Sequence, residues 1–283
     1  MNWKKILVGE WSWKRPFQTI AWVYLLLALF AWFFADRLIF QPPGNPYCED
    51  RSHFKTLGEG RDAIAIYHQR GAFERSAGPT KPTLLWSHGN AQNLESLRPA
   101  LTNLSRLGYS VISYDYPGYG ESGGTTSEEG CYRAIRMTFD HLTDDLGIAP
   151  KDIILVGQSV GSGPTCWLAS KEDHRAVVLI SPFLSAFRTV TKIPIFPGDR
   201  FPNLNTIKKF DSPLLVIHGE DDRTIPFEHG KKLFELSPSK HKIFHPVEDA
   251  GHNDLFLQAS FDFFTLLKEF HQMEMSMIRK SAG

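Results

Sequence analysis

The chain runs IILVGQSVG from Ile153 to Gly161, so that an apolar run leads directly into the pattern Gly-x-Ser-x-Gly. A short apolar run is typical of a buried strand, and the small, apolar residues 162–169 favour a helix after it. A strand, this turn and a helix together describe a nucleophile elbow, which exposes the serine hydroxyl for attack. Glycine at 157 and at 161 leaves room for the strand and the helix to cross closely. The stretch therefore predicts Ser159 as a nucleophile, the alternative being an ordinary strand-to-helix turn.

A candidate base and a candidate acid follow the serine along the chain. A serine hydroxyl needs a general base to become nucleophilic, and that base needs an acid to orient it. The predicted base is His252, just past the strand-like segment 242–247. The acid comes from the loop after the predicted strand 213–219, where Asp222 is preferred and Asp221 is the alternative. One residue of loop register decides between the two carboxylates. The order Ser, Asp, His is the one expected of such an elbow.

A candidate oxyanion hole accompanies the elbow. A tetrahedral intermediate needs two backbone N–H groups aimed at its negative charge. One is predicted to come from Val160, the residue after the nucleophile. The second comes from the loop after the predicted strand 83–87, where Asn90 is preferred and Ala91 is the alternative. A plain turn with a glycine bend is the other interpretation of this loop.

The chain resembles the α/β-hydrolase family, and in particular its membrane-anchored bud-emergence-like (BEM-like) group of serine hydrolases, which is related to protein depalmitoylases. The resemblance covers about residues 36–270 and, beyond the elbow, rests on these segments: Ser87–Ala91, Tyr114–Gly124, His218–Asp222 and Gly251–Asp254. They resemble the group's oxyanion loop, its glycine-rich loop, and its acid and base loops. Pro117 stands where many relatives carry arginine, so an ion pair of that arginine is not carried over. The resemblance implies hydrolysis of an ester or thioester through an acyl-serine, and it names no substrate because this fold hosts many chemistries.

Strands and helices alternate along the rest of the sequence. This alternation predicts an α/β-hydrolase fold with a mostly parallel, doubly wound sheet. The segment 62–68 predicts an additional antiparallel strand. Leucines at helical spacing over 94–107 predict a helix, and Pro99 suggests that its regular part starts only just before that proline. Thr126 and Glu129 predict a capping box for the next helix.

The sequence divides into segments of different composition. The predicted parts are an N-terminal segment 1–16, a transmembrane anchor 17–35, a linker 36–60 that leads into the domain, an α/β-hydrolase domain 61–272 with a short cap insertion at about 183–210, and a C-terminal tail 273–283. The insertion is too short for an independent domain. Its apolar side chains could line an acyl groove over Ser159, and together they favour an apolar substrate. For any single one of them, packing of the cap onto the sheet is the preferred interpretation. These residues are Phe183, Leu184, Phe187, Ile193, Ile195, Phe196 and Phe201.

The anchor prediction comes from the uncharged, apolar stretch Phe17–Phe34. About 17 to 25 apolar residues span the hydrocarbon core of a bilayer. A cleaved signal peptide is the alternative, but its apolar region is usually about 7 to 15 residues long, and 33–36 makes a poor cleavage site. Trp11, Trp13 and Trp32 suit interfacial anchoring. We therefore expect an uncleaved, single-pass anchor.

The orientation of this anchor depends on the basic residues around it. Lys4, Lys5, Lys14 and Arg15 precede the stretch, whereas Arg37, Arg51 and Lys55 follow it. The bias predicts a cytoplasmic N-terminus and a catalytic domain on the opposite face of the membrane.

The overall composition excludes several function classes. Lysine plus arginine and aspartate plus glutamate balance at 31 each, so no basic surface indicates nucleic acid. No Cys/His cluster has metal-ligand spacing and no phosphate-binding glycine motif is present, so neither a metal nor a cofactor is expected. Three cysteines, Cys48, Cys131 and Cys166, are an odd count that argues against a disulfide framework. Structural or surface positions are predicted for four histidines: His88, His218, His229 and His245.

The sequence thus predicts a membrane-anchored serine hydrolase that cleaves small-molecule or lipid-like esters or thioesters of apolar acyl groups. An acyltransferase or a serine peptidase could use the same residues. A membrane-tethered binding module without turnover is the alternative of another class. The complete set Ser159, Asp222 and His252 counts against that last interpretation.

Overall fold

A computed structural model describes residues 13–44, 47, 50–72, 81–191 and 193–281. Lys4, Lys5, Trp11 and Cys48, on which parts of the sequence analysis depend, lie outside this range. The described helices are α1 Arg15–Ile39, α2 Leu94–Arg106, α3 Glu128–Asp140, α4 Ser162–Ala169, α5 Asn203–Thr206, α6 Phe227–Leu236 and α7 Phe263–Ser281. The described strands are β1 Phe54–Leu57, β2 Ile64–Gln69, β3 Thr83–Ser87, β4 Ser110–Tyr114, β5 Ile153–Gln158, β6 Ala176–Ile180, β7 Leu214–Gly219 and β8 Lys242–Val247.

The strands form one sheet in the order β1-β2-β4-β3-β5-β6-β7-β8. The pairs β1–β2 and β2–β4 are antiparallel, and all other pairs are parallel. The doubly wound, mostly parallel sheet is therefore confirmed, as is the antiparallel strand expected over 62–68. Strand β1 lies within the segment 36–60, and α7 continues through most of the segment 273–283. The sequence gives little signal for β1, because its two central residues are exposed.

Two apolar layers cover the sheet. Neighbouring residues of a strand point to opposite faces, so Leu84 packs in one layer and Leu85 in the other. Helices α3, α4 and α6 cover one face, and α2 and α7 cover the other. Every residue of β3, β6 and β7 is buried, as expected for strands that have helices on both sides.

Two predictions at helix starts are wrong. Helix α2 begins at Leu94 and contains Pro99 in its interior, because Asn93 and Ser96 form a capping box that satisfies its first amides. Helix α3 is capped by Ser127, whose hydroxyl accepts from the Gly130 amide at 3.0 Å. Thr126 instead donates to the Pro117 carbonyl at 2.7 Å, so the glycine-rich loop holds it away from the cap position.

Helix α1 is longer than the predicted anchor and packs along the α/β domain. By length and composition it is a candidate membrane span. The Tyr24 hydroxyl donates to the Ile195 carbonyl at 2.9 Å, and Asp36 pairs with Arg200 at 2.9 Å. The helix therefore contacts the cap near its middle and near its C-terminal end.

Candidate active site

The elbow has the strained geometry that its sequence predicts. Ser159 follows β5 directly and has a φ of 51°, in the left-handed region that L-residues rarely adopt. A Cβ at Gly157 would lie 2.7 Å from Thr165 Oγ1, and a Cβ at Gly161 would overlap the Ser87 carbonyl. Ser162 steadies the turn, because its hydroxyl donates to the Ser159 carbonyl at 2.7 Å. The close crossing of strand and helix therefore explains both glycines.

The structure brings the predicted nucleophile, base and acid into one hydrogen-bonded series. Ser159 Oγ lies 3.0 Å from His252 Nε2, and His252 Nδ1 lies 2.7 Å from Asp222 Oδ2. Asp222 follows β7 and His252 follows β8, two neighbouring parallel strands whose carboxyl ends share one edge of the sheet. The alternative acid, Asp221, is exposed, and its amide donates to the Ala250 carbonyl at 2.9 Å. The loop register thus directs Asp222, and not Asp221, to the imidazole.

Asp222 is held as a carboxylate. Burial by itself would raise its pKa, but hydrogen bonds from His218, His252 and the Ile225 amide together keep the pKa well below its usual range. Its Oδ1 accepts from the amides of Thr224 at 2.9 Å and Ile225 at 2.8 Å. An ionised Asp222 accepts the His252 Nδ1 proton, which leaves Nε2 as the acceptor that faces Ser159.

The two predicted oxyanion donors lie beside the serine. Val160 is in the first turn after β5, where helix amides have no partner within the helix. Gly89, Asn90, Ala91 and Val160 line the same cavity as Ser159. In the loop after β3, the Gly89 amide donates to Gln92 Oε1 at 2.7 Å, and the Ala91 amide donates to the Asn90 side chain at 3.1 Å. Among the described hydrogen bonds, the Asn90 amide has no acceptor, which favours it over Ala91.

The glycine-rich loop within Tyr114–Gly124 holds the candidate oxyanion loop after β3 by hydrogen bonds, a role that sequence reasoning missed. Tyr116 donates its hydroxyl to the His88 carbonyl at 2.6 Å, and Tyr119 donates to Asn90 Oδ1 at 2.6 Å. The segment stood out in the sequence, but no spacing rule assigned its tyrosines a partner. Two loops from neighbouring strands therefore fix the position of Asn90.

A buried histidine and a buried aspartate lie under this loop. His88 Nδ1 is 2.8 Å from the Gly89 carbonyl, which can only accept, so Nδ1 carries the proton and Nε2 is an acceptor. Nε2 lies 3.3 Å from Asp115 Oδ1. Burial lowers the pKa of His88 to about 4. Burial also raises the pKa of Asp115 to about 8, partly opposed by the Leu94 and Glu121 amides. The pair is therefore neutral at pH 7, with a protonated Asp115.

A cavity of about 850 Å³ opens over the serine. Of the apolar cap residues in the sequence analysis, Phe183, Phe187 and Phe196 line it. Leu184 and Phe201 are buried in the core, and Ile193 and Ile195 are exposed. A further wall comes from α1, which the sequence did not connect with the site: Leu27, Phe30, Ala31, Leu38 and Ile39. The volume and the lining suit an apolar small-molecule group.

Metal ligands do not cluster near this cavity or elsewhere in the described ranges. Within residues 13–44, 47, 50–72, 81–191 and 193–281, no group of three or more His, Cys, Asp or Glu side chains could hold a metal ion. Of the cysteines in these ranges, Cys131 and Cys166 are buried and free.

Comparisons with known proteins agree with this fold. Residues 82–196 match the family model described as the alpha/beta hydrolase fold. The chain is 39% identical to alpha/beta hydrolase domain-containing protein 17C of Mus musculus over 230 residues, which cover 76% of this chain and 70% of that protein. The chain belongs to the α/β-hydrolase family. It is also 35% identical to alpha/beta hydrolase domain-containing protein 17B of Homo sapiens over 267 residues, 85% of this chain and 91% of that relative.

Solved structures share the fold of this α/β-hydrolase. The esterase Pf2001 of Pyrococcus furiosus superposes with a TM-score of 0.66 at 18% identity, over 84% of this chain and 97% of the esterase. Est1E of Butyrivibrio proteoclasticus, solved with bound ferulic acid, gives a TM-score of 0.56 at 17% identity, over 78% and 96% of the two chains. At these identities the similarity concerns the fold alone, and the α/β-hydrolase fold expected from the sequence is confirmed.

Proposed function

We propose that this α/β-hydrolase is a membrane-associated serine hydrolase that cleaves carboxylic esters or thioesters of apolar acyl groups. The observation that carries the proposal is the hydrogen-bonded series from Ser159 through His252 to Asp222. Ser159 and His252 line a cavity whose walls are mostly apolar. Family membership supports hydrolysis, and the geometry of this series supports its assignment to a serine nucleophile.

Each residue of the series has a role in the proposed reaction. Ser159 Oγ attacks the acyl carbonyl carbon while His252 Nε2 takes the hydroxyl proton. The Asn90 and Val160 amides stabilise the oxyanion. His252 returns the proton to the departing alcohol or thiol, which leaves an acyl-serine. Water, deprotonated by His252, then attacks the acyl-serine, and the fatty or other carboxylic acid and Ser159 are released. The ionised Asp222 stabilises the imidazolium in both steps.

Membrane association is assigned to α1. Its exposed apolar side chains run along most of the helix, from Phe17 to Leu38. Lys14 and Arg15 at the start of the helix, and Arg37, Arg51 and Lys55 near or after its end, are the described basic residues that bear on orientation. A cytoplasmic N-terminus with the catalytic domain on the opposite face stays a prediction from charge bias.

The test is labelling of the detergent-solubilised full chain by a fluorophosphonate probe. We expect the probe to label the wild type but not Ser159→Ala. The control Ser170→Ala should be labelled like the wild type, because Ser170 follows the far end of α4 and its hydroxyl donates to the Trp167 carbonyl. A folded wild type that resists the probe, or a labelled Ser159→Ala, would contradict the proposal. Hydrolysis of 4-nitrophenyl esters with and without an added alcohol then separates hydrolysis from acyl transfer by the product ratio.

A further inference from the structure

The anchor helix forms one side of the cavity that holds the serine. Leu27, Phe30, Ala31 and Leu38 line the same cavity as Ser159. The first three lie at helical spacings of three and four, which place side chains on one face of a helix. Neighbouring Leu26 does not line the cavity and is 62% exposed. The helix therefore has a cavity face and an outer face, although both faces are apolar.

Specific contacts hold the cavity face in position. The Tyr24 ring stacks on Phe196 of the cap with 6.1 Å between ring centroids. Trp32 covers Gly198, where an added Cβ would come within 2.5 Å of the indole. Together with the Asp36–Arg200 ion pair, these contacts fix the helix against the cap at three positions along its length. A helix that served only as a tether would need none of these contacts.

The C-terminal end of the helix is bonded directly to the oxyanion loop. Asn90 Nδ2 donates to the Ile39 carbonyl at 2.6 Å, and Asn90 Oδ1 accepts from the Gln41 amide at 2.9 Å. The last carbonyls of a helix have no partner within it, so the Asn90 side chain acts as a cap supplied by another part of the chain. The same residue carries the backbone amide proposed for the oxyanion.

From these contacts we propose that α1 is part of the catalytic site: it forms the wall along which the acyl chain lies, and through Asn90 it positions the oxyanion loop. This inference rests on the proposed function and adds the residues that set acyl-chain length. Leu27 and Ile39 are separated by about 18 Å along the helix axis, at about 1.5 Å per residue. A methylene advances an extended acyl chain by about 1.25 Å, given a C–C bond of about 1.5 Å and an angle of about 111°. The wall therefore matches an acyl chain of about 14 carbons.

Chain-length profiles test the wall. We measure kcat/KM of the solubilised full chain on 4-nitrophenyl esters from C4 to C16. In Leu27→Trp, the C14-to-C4 ratio of kcat/KM is expected to fall at least about ten-fold, because the indole fills the far end of the cavity. In Leu38→Trp the loss of kcat/KM should begin at shorter acyl chains, because this residue lies near the end of the cavity that holds Ser159. The matched control Leu26→Trp, one residue away on the outer face, should keep the wild-type ratio.

The outcomes separate the two proposals. If Leu27→Trp and Leu26→Trp had equal C14-to-C4 ratios of kcat/KM, the proposal that α1 forms the wall along the acyl chain would be overturned. A wild type that hydrolyses no ester of the series and resists the fluorophosphonate probe would overturn the proposed function, and this inference with it.

The positioning role of Asn90 has its own readout. Asn90→Ala removes four hydrogen bonds of the carboxamide but keeps the backbone amide. Loss of one oxyanion donor costs about 10²–10³ in kcat, so a displaced donor should lower kcat on the C4 ester by about ten-fold or more, with KM and Tm close to wild type. Asn103→Ala on the exposed side of α2 is the control and should match the wild type. An unchanged kcat, or a kcat that falls together with Tm, would overturn the positioning role.

Discussion

The protonated Asp115 predicts that its own contribution to the free energy of unfolding falls as pH rises from about 4 to about 8. The side chain is fully buried at the end of β4, next to a histidine that faces it with an unprotonated nitrogen. Its pKa is raised from 3.8 to about 8 in the folded chain. Between these two values the unfolded chain has released a proton that the folded chain still holds. The contribution of Asp115 to stability therefore decreases with pH, by at most about 1.4 kcal/mol per pH unit and several kcal/mol over the whole interval.

The substitution Asp115→Asn removes this dependence. An asparagine can still accept the Leu94 amide hydrogen bond, which is 2.9 Å long in the wild type. Like the protonated carboxyl, its side chain is neutral, and it does not titrate. Relative to wild type, the variant should therefore gain stability as pH increases from 5 to 8. Asp211→Asn, at an exposed carboxylate, should follow the wild type.

The assay is urea unfolding at pH 5, 6, 7 and 8 in one detergent, followed by tryptophan fluorescence. The quantity compared is the difference in free energy of unfolding between Asp115→Asn and wild type at each pH. An increase of that difference across the series would support a protonated Asp115. Wild-type and variant curves that stay parallel over the four pH values would refute the reasoning, because a carboxylate already ionised in the folded chain gives no slope.

Two further predictions concern the site and the core. Asp222→Asn should lower kcat on a C4 ester by about 10⁴ with little change in Tm, because the wrong histidine tautomer is stabilised; a loss of less than ten-fold would contradict the assigned acid. Phe201→Ala should lower the free energy of unfolding by about 3–5 kcal/mol, since the ring is fully buried against Phe40, Tyr132 and Phe183. Denaturant unfolding measures this difference. A cost below about 1 kcal/mol would mean that the cap packs independently of the sheet.

The elbow and its partners could be anticipated because their requirements are local. A serine in the left-handed region and two glycines at a close crossing leave a pattern that stays within nine residues of sequence, Ile153–Gly161. The choice between Asp221 and Asp222 could not be made with certainty in the same way. It depends on how β7 and β8 align, since Asp221 is fixed by a bond to the Ala250 carbonyl in the loop before His252.

Features that depend on contacts distant in sequence were missed. The cap of α3 falls on Ser127 because the glycine-rich loop takes the hydroxyl of Thr126. Asn90 was chosen for its backbone amide, whereas its side chain also bonds a helix end that lies 51 residues earlier in the chain. An apolar stretch of sequence gives the same signal whether it faces lipid or lines a cavity. The two faces of α1 were therefore indistinguishable until Tyr24 and Trp32 were seen against the cap.

The packing of α1 also limits how deeply the protein can enter a bilayer. The helix contacts the domain from Tyr24 to its last residue, Ile39, which leaves only residues 15–23 beyond the cap. The portion 15–23, which precedes the first described contact with the cap, measures about 14 Å at about 1.5 Å per residue, less than half of a hydrocarbon core of about 30 Å. In the packed arrangement α1 thus reaches about one leaflet, and crossing both leaflets would require it to separate from the cap or to carry the cap below the headgroups. Leu27, the first residue of the cavity wall, lies about 6 Å along the axis from residue 23, so an acyl chain that leaves that leaflet along α1 enters the cavity at its far end.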